Sequence, residues 1–253
     1  MRSEIRTMIG KGVMKRILAV LAVATAALGI SAFAAAMTPE ESLKKNFPDV
    51  PFQSISPSEV KGLYEVVVSG RILYYSPEAE KIIVGEIISK ERRNLTRERQ
   101  QLLMASLLKE LPLERALKIG TGKKAVVEIT NPDCGYCRKS SDFLSRKKDL
   151  TRYIFFLPFS PDSEAKVEYI LCAGDKAAAY EKAMTGGLDD MKFETCNRKE
   201  VKEMVKAHRE ILDRAGIQST PSFLIDGQAV MGADMEMLEK LLGPDPPPAT
   251  YFP

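Results

Sequence analysis

The chain is short of histidine and has no tryptophan. A single His, His208, in 253 residues leaves a multi-His metal centre or a Ser–His–Asp hydrolase without its main ingredient. Charge of one sign is also scarce. Residues 1–36 hold five Lys/Arg and one Glu, and the rest of the chain carries 32 basic and 33 acidic side chains. That neutral body argues against a nucleic-acid partner. The longest apolar run, residues 17–30, falls short of the roughly 20 residues that a membrane-spanning helix needs. With 28% charged and 45% hydrophobic residues, the composition excludes a disordered or collagen-like chain. Only four cysteines occur, and they carry the chemistry.

The first segment reads as an address. Met14-Lys15-Arg16 precedes the apolar run, and Ala32-Phe33-Ala34 and Ala34-Ala35-Ala36 both fit an A-x-A cleavage pattern. This layout predicts a secretory signal peptide over 1–36, an uncleaved N-terminal anchor being the alternative. Met8 or Met14 is an equally good start. Export places the mature chain where disulfides persist, so the cysteines are read in that light.

Thr38-Pro39-Glu40-Glu41 has the order of a helix start, with an N-cap Thr, an early Pro and Glu at the capping-box position. A short helix to about Phe47 is expected. Strand-like runs at 63–68, 72–75 and 81–88 are separated by Ser69-Gly70 and Ser76-Pro77-Glu78, which predicts a β-meander. These elements define an α+β N-terminal domain over 37–95, thin in core and suited to self-association through its apolar strands. Residues 97–111 lack Gly and Pro and are rich in Arg, Glu, Gln, Leu and Met, which predicts a helix ending near Pro112. The segment 96–122 reads as a helical linker.

A second domain is expected over 123–243. Its order is a strand at 125–129, a helix from Cys134 to about Lys148 and a strand at 153–157. A helical stretch follows at 163–215, then a hairpin of 222–225 and 229–231 around Asp226-Gly227, and a helix at 235–242. Gly186-Gly187 and Thr195-Cys196-Asn197 break the helical stretch, and Gly216 is its C-cap. The Pro-rich tail, 244–253, reads as extended.

Cys134-Gly135-Tyr136-Cys137 follows a strand and opens a helix. In an exported chain that is the pattern of a thiol–disulfide redox motif. Cysteines three apart on a first helical turn can close a disulfide with little backbone movement. The unpaired N–H groups and the dipole of the helix start favour a thiolate at Cys134. That thiolate attacks a substrate disulfide, and Cys137 resolves the mixed disulfide. The competing reading, half of a zinc site, would need further ligands from Cys172, Cys196 and His208.

Other residues carry two readings. Glu128, in an otherwise apolar strand, is either a buried acid exchanging protons with Cys137 or a strand-edge carboxylate reaching solvent. Thr220-Pro221 before a strand would present the Thr220 backbone to an extended peptide, particularly through a cis bond. Tyr136 offers an aromatic contact to an unfolded client, or only packs. Cys172 and Cys196, 24 positions apart, form an expected structural disulfide, with a second redox pair as the rival role. His208, within Lys206-Ala207-His208-Arg209-Glu210, is expected on a solvated helix face.

Cys134-Gly135-Tyr136-Cys137 and Thr220-Pro221 around a helical insert resemble the thioredoxin superfamily, and within it the periplasmic disulfide isomerases of the DsbC/DsbG type. The resemblance covers most of the mature chain, including the strand domain, the helix and the extra Cys pair. It implies an N-terminal dimerisation domain, a helical linker and an α/β thioredoxin fold with a helical insert. It also implies a V-shaped homodimer whose cleft holds misfolded disulfide-containing exported proteins, kept reduced by a membrane thiol reductant of the DsbD type.

By the same resemblance Cys134 is the attacking thiolate, Cys137 the resolving thiol, Pro221 the cis-proline and Thr220 its tuning neighbour. The Gly135-Tyr136 dipeptide is similar to the isomerase branch, and Glu128 stands where thioredoxin and its oxidase relatives have a buried acid. The expected activity is protein disulfide isomerase or reductase. No cofactor beyond the redox-active Cys134–Cys137 disulfide and no metal is expected. A dithiol oxidase, a pathway-specific thiol reductase and a chaperone holdase are the alternatives.

Overall fold

The structure, a computed structural model, describes residues 37–244. The expected signal peptide and residues 245–253 of the expected tail lie outside the described residues. Residues 37–41 hold the anticipated cap. Thr38 Oγ1 accepts from the Glu41 N–H at 3.2 Å, and the Glu41 carboxylate accepts from the Thr38 N–H at 2.8 Å. This is the reciprocal capping box of a helix start, and it opens α1 (Pro39–Asn46).

From Ser42 onward, a four-stranded antiparallel sheet has the order β1-β2-β3-β4. Its strands are β1 (Ser54–Pro57), β2 (Tyr64–Val68), β3 (Arg71–Ser76) and β4 (Lys81–Ile83). The expected meander is β2–β4. The additional strand β1 has one apolar residue in Ser-Ile-Ser-Pro, too few for a periodicity signal. The last strand ends at Ile83, not at residue 88, because the chain leaves the sheet there. Ile88 instead bridges to Asn94. Leu43, Val66 and Tyr75 form the small core, with Phe47, Phe52 and Ile55 packed against it. The Tyr75 hydroxyl is bonded to Ser42 Oγ at 2.6 Å.

The helix α2 (Leu95–Lys109) is capped by Asn94, whose Oδ1 accepts from the Arg97 N–H at 2.8 Å. It is more than a linker. Met104, Leu108 and Leu111 are buried in one cluster with Val127, Ile129, Phe155, Ile211 and Ile217. The strand β5 (Leu117–Ile119) also falls in the segment read as linker, and it belongs to the second sheet.

That second sheet has the order β5-β7-β6-β8-β9, with β6 (Lys124–Thr130), β7 (Leu150–Phe156), β8 (Ser222–Ile225) and β9 (Gln228–Met231). Strands β6 and β7 are parallel, and the β8–β9 hairpin is antiparallel. Between them come α3 (Gly135–Ser145), α4 (Pro161–Cys172), α5 (Lys176–Met184) and α6 (Lys199–Arg214); α7 (Met235–Leu242) closes the domain. Alternation along the strands sends Val127, Ile129 and Phe155 to one face. Ile154 and Phe156 go to the other, against α4 and α5. Asp226 and Gly227 both have positive φ, the backbone of a tight two-residue hairpin turn.

Glycine is required where the Ser69-Gly70 turn meets the C-terminal end of α6. A Cβ on Gly70 would lie 2.4 Å from the Gly216 carbonyl oxygen. The side chains of Gln53 and Gln100 bond the backbone of Gly70 from either side.

His208 is a correction. It is fully buried, not solvated. Nδ1 accepts from the Phe156 N–H at 3.1 Å, and Nε2 lies 2.7 Å from the Arg115 carbonyl oxygen. The accepting Nδ1 places the proton on Nε2. The charged neighbours in sequence hid a helical stripe of buried residues, Val201, Val205, His208, Ile211 and Leu212.

Burial holds the His208 pKa below its ordinary value. A depressed folded-state pKa contributes stability above the unfolded value, about 6.5, and loses it as pH falls through the folded one. Urea midpoints of the wild type should therefore drop more between pH 7 and pH 5 than those of His208→Gln. Parallel pH profiles would remove the histidine from the acid response.

Candidate active site

Strand β6 ends at Thr130, and the next residues turn sharply. The Asn131 side chain accepts from the Asp133 N–H at 3.0 Å, and its carbonyl accepts from the Cys134 N–H at 3.1 Å. This Asx turn delivers Cys134 to the N-cap of α3. Its sulfur, not the usual cap oxygen, accepts the Cys137 N–H at 3.3 Å.

The two cysteines differ sharply in environment. Cys134 is partly exposed and Cys137 is buried, and neither is in a disulfide. Cys137 packs with Leu117, Ile154, Phe156 and Val167. Burial, then the neighbouring Cys134, pushes the Cys137 thiol up to about 12. The Thr220–Pro221 peptide is cis, and the Thr220 carbonyl oxygen lies 3.9 Å from Cys134 Sγ. The fold thus brings Thr220 and Pro221, more than 80 residues away in sequence, to the exposed sulfur. Gly135 has open space where a Cβ would sit, and Tyr136 is 71% exposed. An accessible sulfur beside a buried thiol can exchange with an external disulfide.

Glu128 does not reach solvent: it is fully buried. Nor does it bond to Cys137. Its Oε2 accepts from Arg152 Nε at 3.0 Å and Nη2 at 2.7 Å, and its Oε1 accepts from the Tyr180 hydroxyl at 2.9 Å. Arg152 Nη2 also reaches Ser141 Oγ at 3.2 Å. Burial opposes the Arg152 charge, and the adjacent Glu128 and Tyr180 more than restore it. Of the two readings of Glu128, burial excludes the strand-edge carboxylate reaching solvent, and both carboxylate oxygens are committed to β7 and α5.

Cys172 and Cys196 are bonded, with a Cα separation of 5.6 Å. The loop they close contributes about 3–4 kcal/mol on the chain-entropy account. The side chains that a zinc site would have drawn on are thus engaged elsewhere, with His208 held by Phe156 and Arg115.

Sequence reasoning missed four charged residues beside the motif. Arg138 Nη1 and Nη2 donate to the two oxygens of Asp189 at 2.6 and 2.7 Å. Arg138 Nε donates to the Pro132 carbonyl at 2.6 Å. Lys166 Nζ bridges Asp133 and Asp189. Arg138, then Lys166, hold the Asp189 carboxyl well below the usual carboxylate range. Asp133, directly before Cys134, and Arg138, one turn after it, were near enough in sequence to have been suspected; Lys166 and Asp189 were not.

Two family patterns match the chain. "Disulfide bond isomerase protein N-terminal domain" matches residues 30–97, and "Thioredoxin-like domain" matches residues 113–242. Among curated relatives, "Probable thiol:disulfide interchange protein DsbC" of Bordetella avium is 34% identical over 145 residues, 56% of this chain and 52% of the relative. The protein of the same description from Bordetella pertussis is 36% identical over 130 residues, 50% of this chain and 47% of the relative. "Thiol:disulfide interchange protein DsbG" of Pseudomonas aeruginosa is 24% identical over 193 residues, 69% and 75% of the two chains. The chain spans about half the length of the Bordetella relatives it matches.

The buried pair gives a stability prediction. Arg152→Met leaves the Glu128 charge without its partner and should cost about 3–5 kcal/mol, read from urea unfolding. Replacing both residues with apolar ones (Glu128→Leu with Arg152→Met) should recover much of that loss. A double variant no more stable than the single one would mean that the pair is not the source.

Proposed function

The chain belongs to the thioredoxin-like family, and from that premise we propose that it is a thiol–disulfide isomerase and reductase acting on exported proteins. The observation that carries this reading is the asymmetry of the pair: an accessible Cys134 against a buried Cys137 whose thiol is pushed up to about 12.

In this mechanism the Cys134 thiolate attacks one sulfur of a client disulfide. A Cys134–client bond forms, the client S–S bond breaks, and the second client sulfur leaves as a thiolate. Two exits follow. A second client thiolate can attack the mixed disulfide, which yields a rearranged client and regenerates Cys134 with no net electron transfer. Alternatively Cys137 attacks, releasing a reduced client and leaving the Cys134–Cys137 disulfide. A thiol with a pKa near 12 is almost wholly protonated at neutral pH. That exit requires Cys137 to lose its proton, and whichever thiolate attacks first decides between rearrangement and reduction.

The client would pair with the Thr220 backbone beside Cys134 and lie against exposed aromatics. Tyr136 and Phe159, 71% and 62% exposed, follow the ends of the adjacent parallel strands β6 and β7. Homodimerisation is part of the proposal. Ile83 on the edge strand β4 is exposed, as are Val84 and Ile88 in the segment that follows it, an apolar edge of the sort that a second copy covers. Periplasmic location rests on the signal-peptide pattern in the sequence. No helix of the described residues is long and apolar enough to cross a membrane. Keeping the pair reduced requires an external dithiol, for which a membrane thiol reductant of the DsbD type is proposed.

The deciding experiment is reactivation of a scrambled multi-disulfide protein by the purified chain with trace reductant. Wild type should restore activity, Cys134→Ser should abolish it, and Cys137→Ala should accumulate client mixed disulfides on non-reducing gels. Redox exchange with glutathione but no reactivation would overturn the isomerase reading in favour of an oxidase or a dedicated reductase.

A further inference from the structure

The four charged side chains beside the motif form one closed set. Asp133 immediately precedes Cys134, Arg138 lies on the first turns of α3, Lys166 is on α4 and Asp189 sits in the turn after α5. Arg138 and Asp189 meet in a two-point fork, a geometry specific to guanidinium and carboxylate. Lys166, whose side chain is 9% exposed, closes the ring through both carboxylates. Two cations thus face two anions.

The turn is shaped to admit the fork. Gly186 has φ +81°, and a Cβ there would lie 3.1 Å from Asp189 Oδ2 and 3.4 Å from Arg138 Nη1. The Asp189 N–H is bonded to the Gly186 carbonyl at 3.0 Å, and the neighbouring Leu188 is buried. Asp189 is therefore delivered by an anchored turn, not by a wandering surface side chain. The other end of the set grips the active-site loop through the Pro132 carbonyl, two residues before Cys134.

We infer that Asp189 is a positioning residue for the redox pair: by neutralising Arg138 and Lys166 it sets the balance between the dithiol and disulfide forms of Cys134 and Cys137. The inference rests on the redox reading of that pair. The physical reason is electrostatic. Only the reduced form can carry negative charge on the Cys134 sulfur, as the thiolate that attacks a disulfide; the disulfide form carries none. Net positive charge nearby favours the dithiol and makes the pair more oxidising; net negative charge does the reverse. With Asp189 in place the set is neutral.

The test is the equilibrium with glutathione at pH 7. One Cys134–Cys137 disulfide and two glutathione thiols give the reduced pair and one glutathione disulfide, a transfer of two electrons; one glutathione proton ends on Cys137, and the other passes to solvent to the extent that Cys134 stands as a thiolate. Asp189→Asn leaves two cations against one carboxylate and should shift this equilibrium toward the dithiol by about 3- to 10-fold at low salt. Arg138→Met leaves one cation against two carboxylates and should shift it by a similar factor toward the disulfide. Lys166→Met should follow Arg138→Met. Raising the ionic strength to about 1 M should shrink these shifts.

Opposite signs, tracking the charge removed, support the inference. Loosening of the loop would move the variants in one direction and would not respond to salt. Shifts of the same sign, or none, with wild type still exchanging, would overturn it. A wild type that does not exchange with glutathione would overturn the redox reading itself and this inference with it.

Discussion

A carboxylate and a guanidinium buried at the centre of the second sheet constrain much of what surrounds them. Glu128 sits in the middle strand β6 with no solvent exposure, and an ionised carboxylate there costs several kcal/mol unless it is paired and hydrogen-bonded. The pairing draws on three other elements: Arg152 from β7, Tyr180 from α5 and Ser141 from the motif helix α3. The helical insert therefore completes the core of the sheet instead of decorating it. Displacing α5 would strip the Glu128 carboxylate of its hydrogen bond from Tyr180. The disulfide between Cys172 and Cys196 holds the same insert from outside, joining the end of α4 to the segment before α6.

The asymmetry of the cysteine pair follows from this arrangement. Three-residue spacing at a helix start guarantees that one sulfur sits at the cap and the other a turn inside. It does not guarantee how deeply the second is buried. The depth comes from Leu117, Ile154, Phe156 and Val167, contributed by β5, β7 and α4. A thiol held in that apolar cluster stays protonated, while the cap sulfur remains open to an incoming disulfide. One fold thus sets a partly exposed sulfur beside a buried thiol.

The two sheets are also in contact beyond the helix that joins them. The turn at Gly70 lies against Gly216, at the head of the segment running to Thr220 and Pro221. Gln53 and Gln100 satisfy the turn's backbone groups, so the contact is polar and directional. Because Thr220 lies against the Cys134 sulfur, the strand domain abuts the base of the loop that would receive a client. The helix α2, read from its composition as a spacer, is instead packed into the sheet by Met104 and Leu108, with Leu111 just past its end.

The placing of Cys134 at a helix start with Cys137 one turn inside, the hairpin at Asp226-Gly227, the capping box at Thr38, the meander and the final helix were all legible in the amino-acid sequence. Each depends on spacing within a few residues, where local backbone preferences and hydrophobic period decide the outcome. The Cys172–Cys196 pairing was within reach because so few cysteines leave little choice. Other features were not legible: the strand Ser54–Pro57, with too few apolar residues to show a period, the docking of α2, and the burial of His208 beneath charged neighbours in sequence. The ionic set of Asp133, Arg138, Lys166 and Asp189 and the commitment of Glu128 to Arg152 were hidden for a deeper reason. Apart from Asp133 and Arg138, the paired side chains are 23 to 51 positions apart, and sequence holds no trace of which charge faces which. That choice is made only when strands and helices pack, because the desolvation of a charge, and the partner that offsets it, exist only in the folded interior.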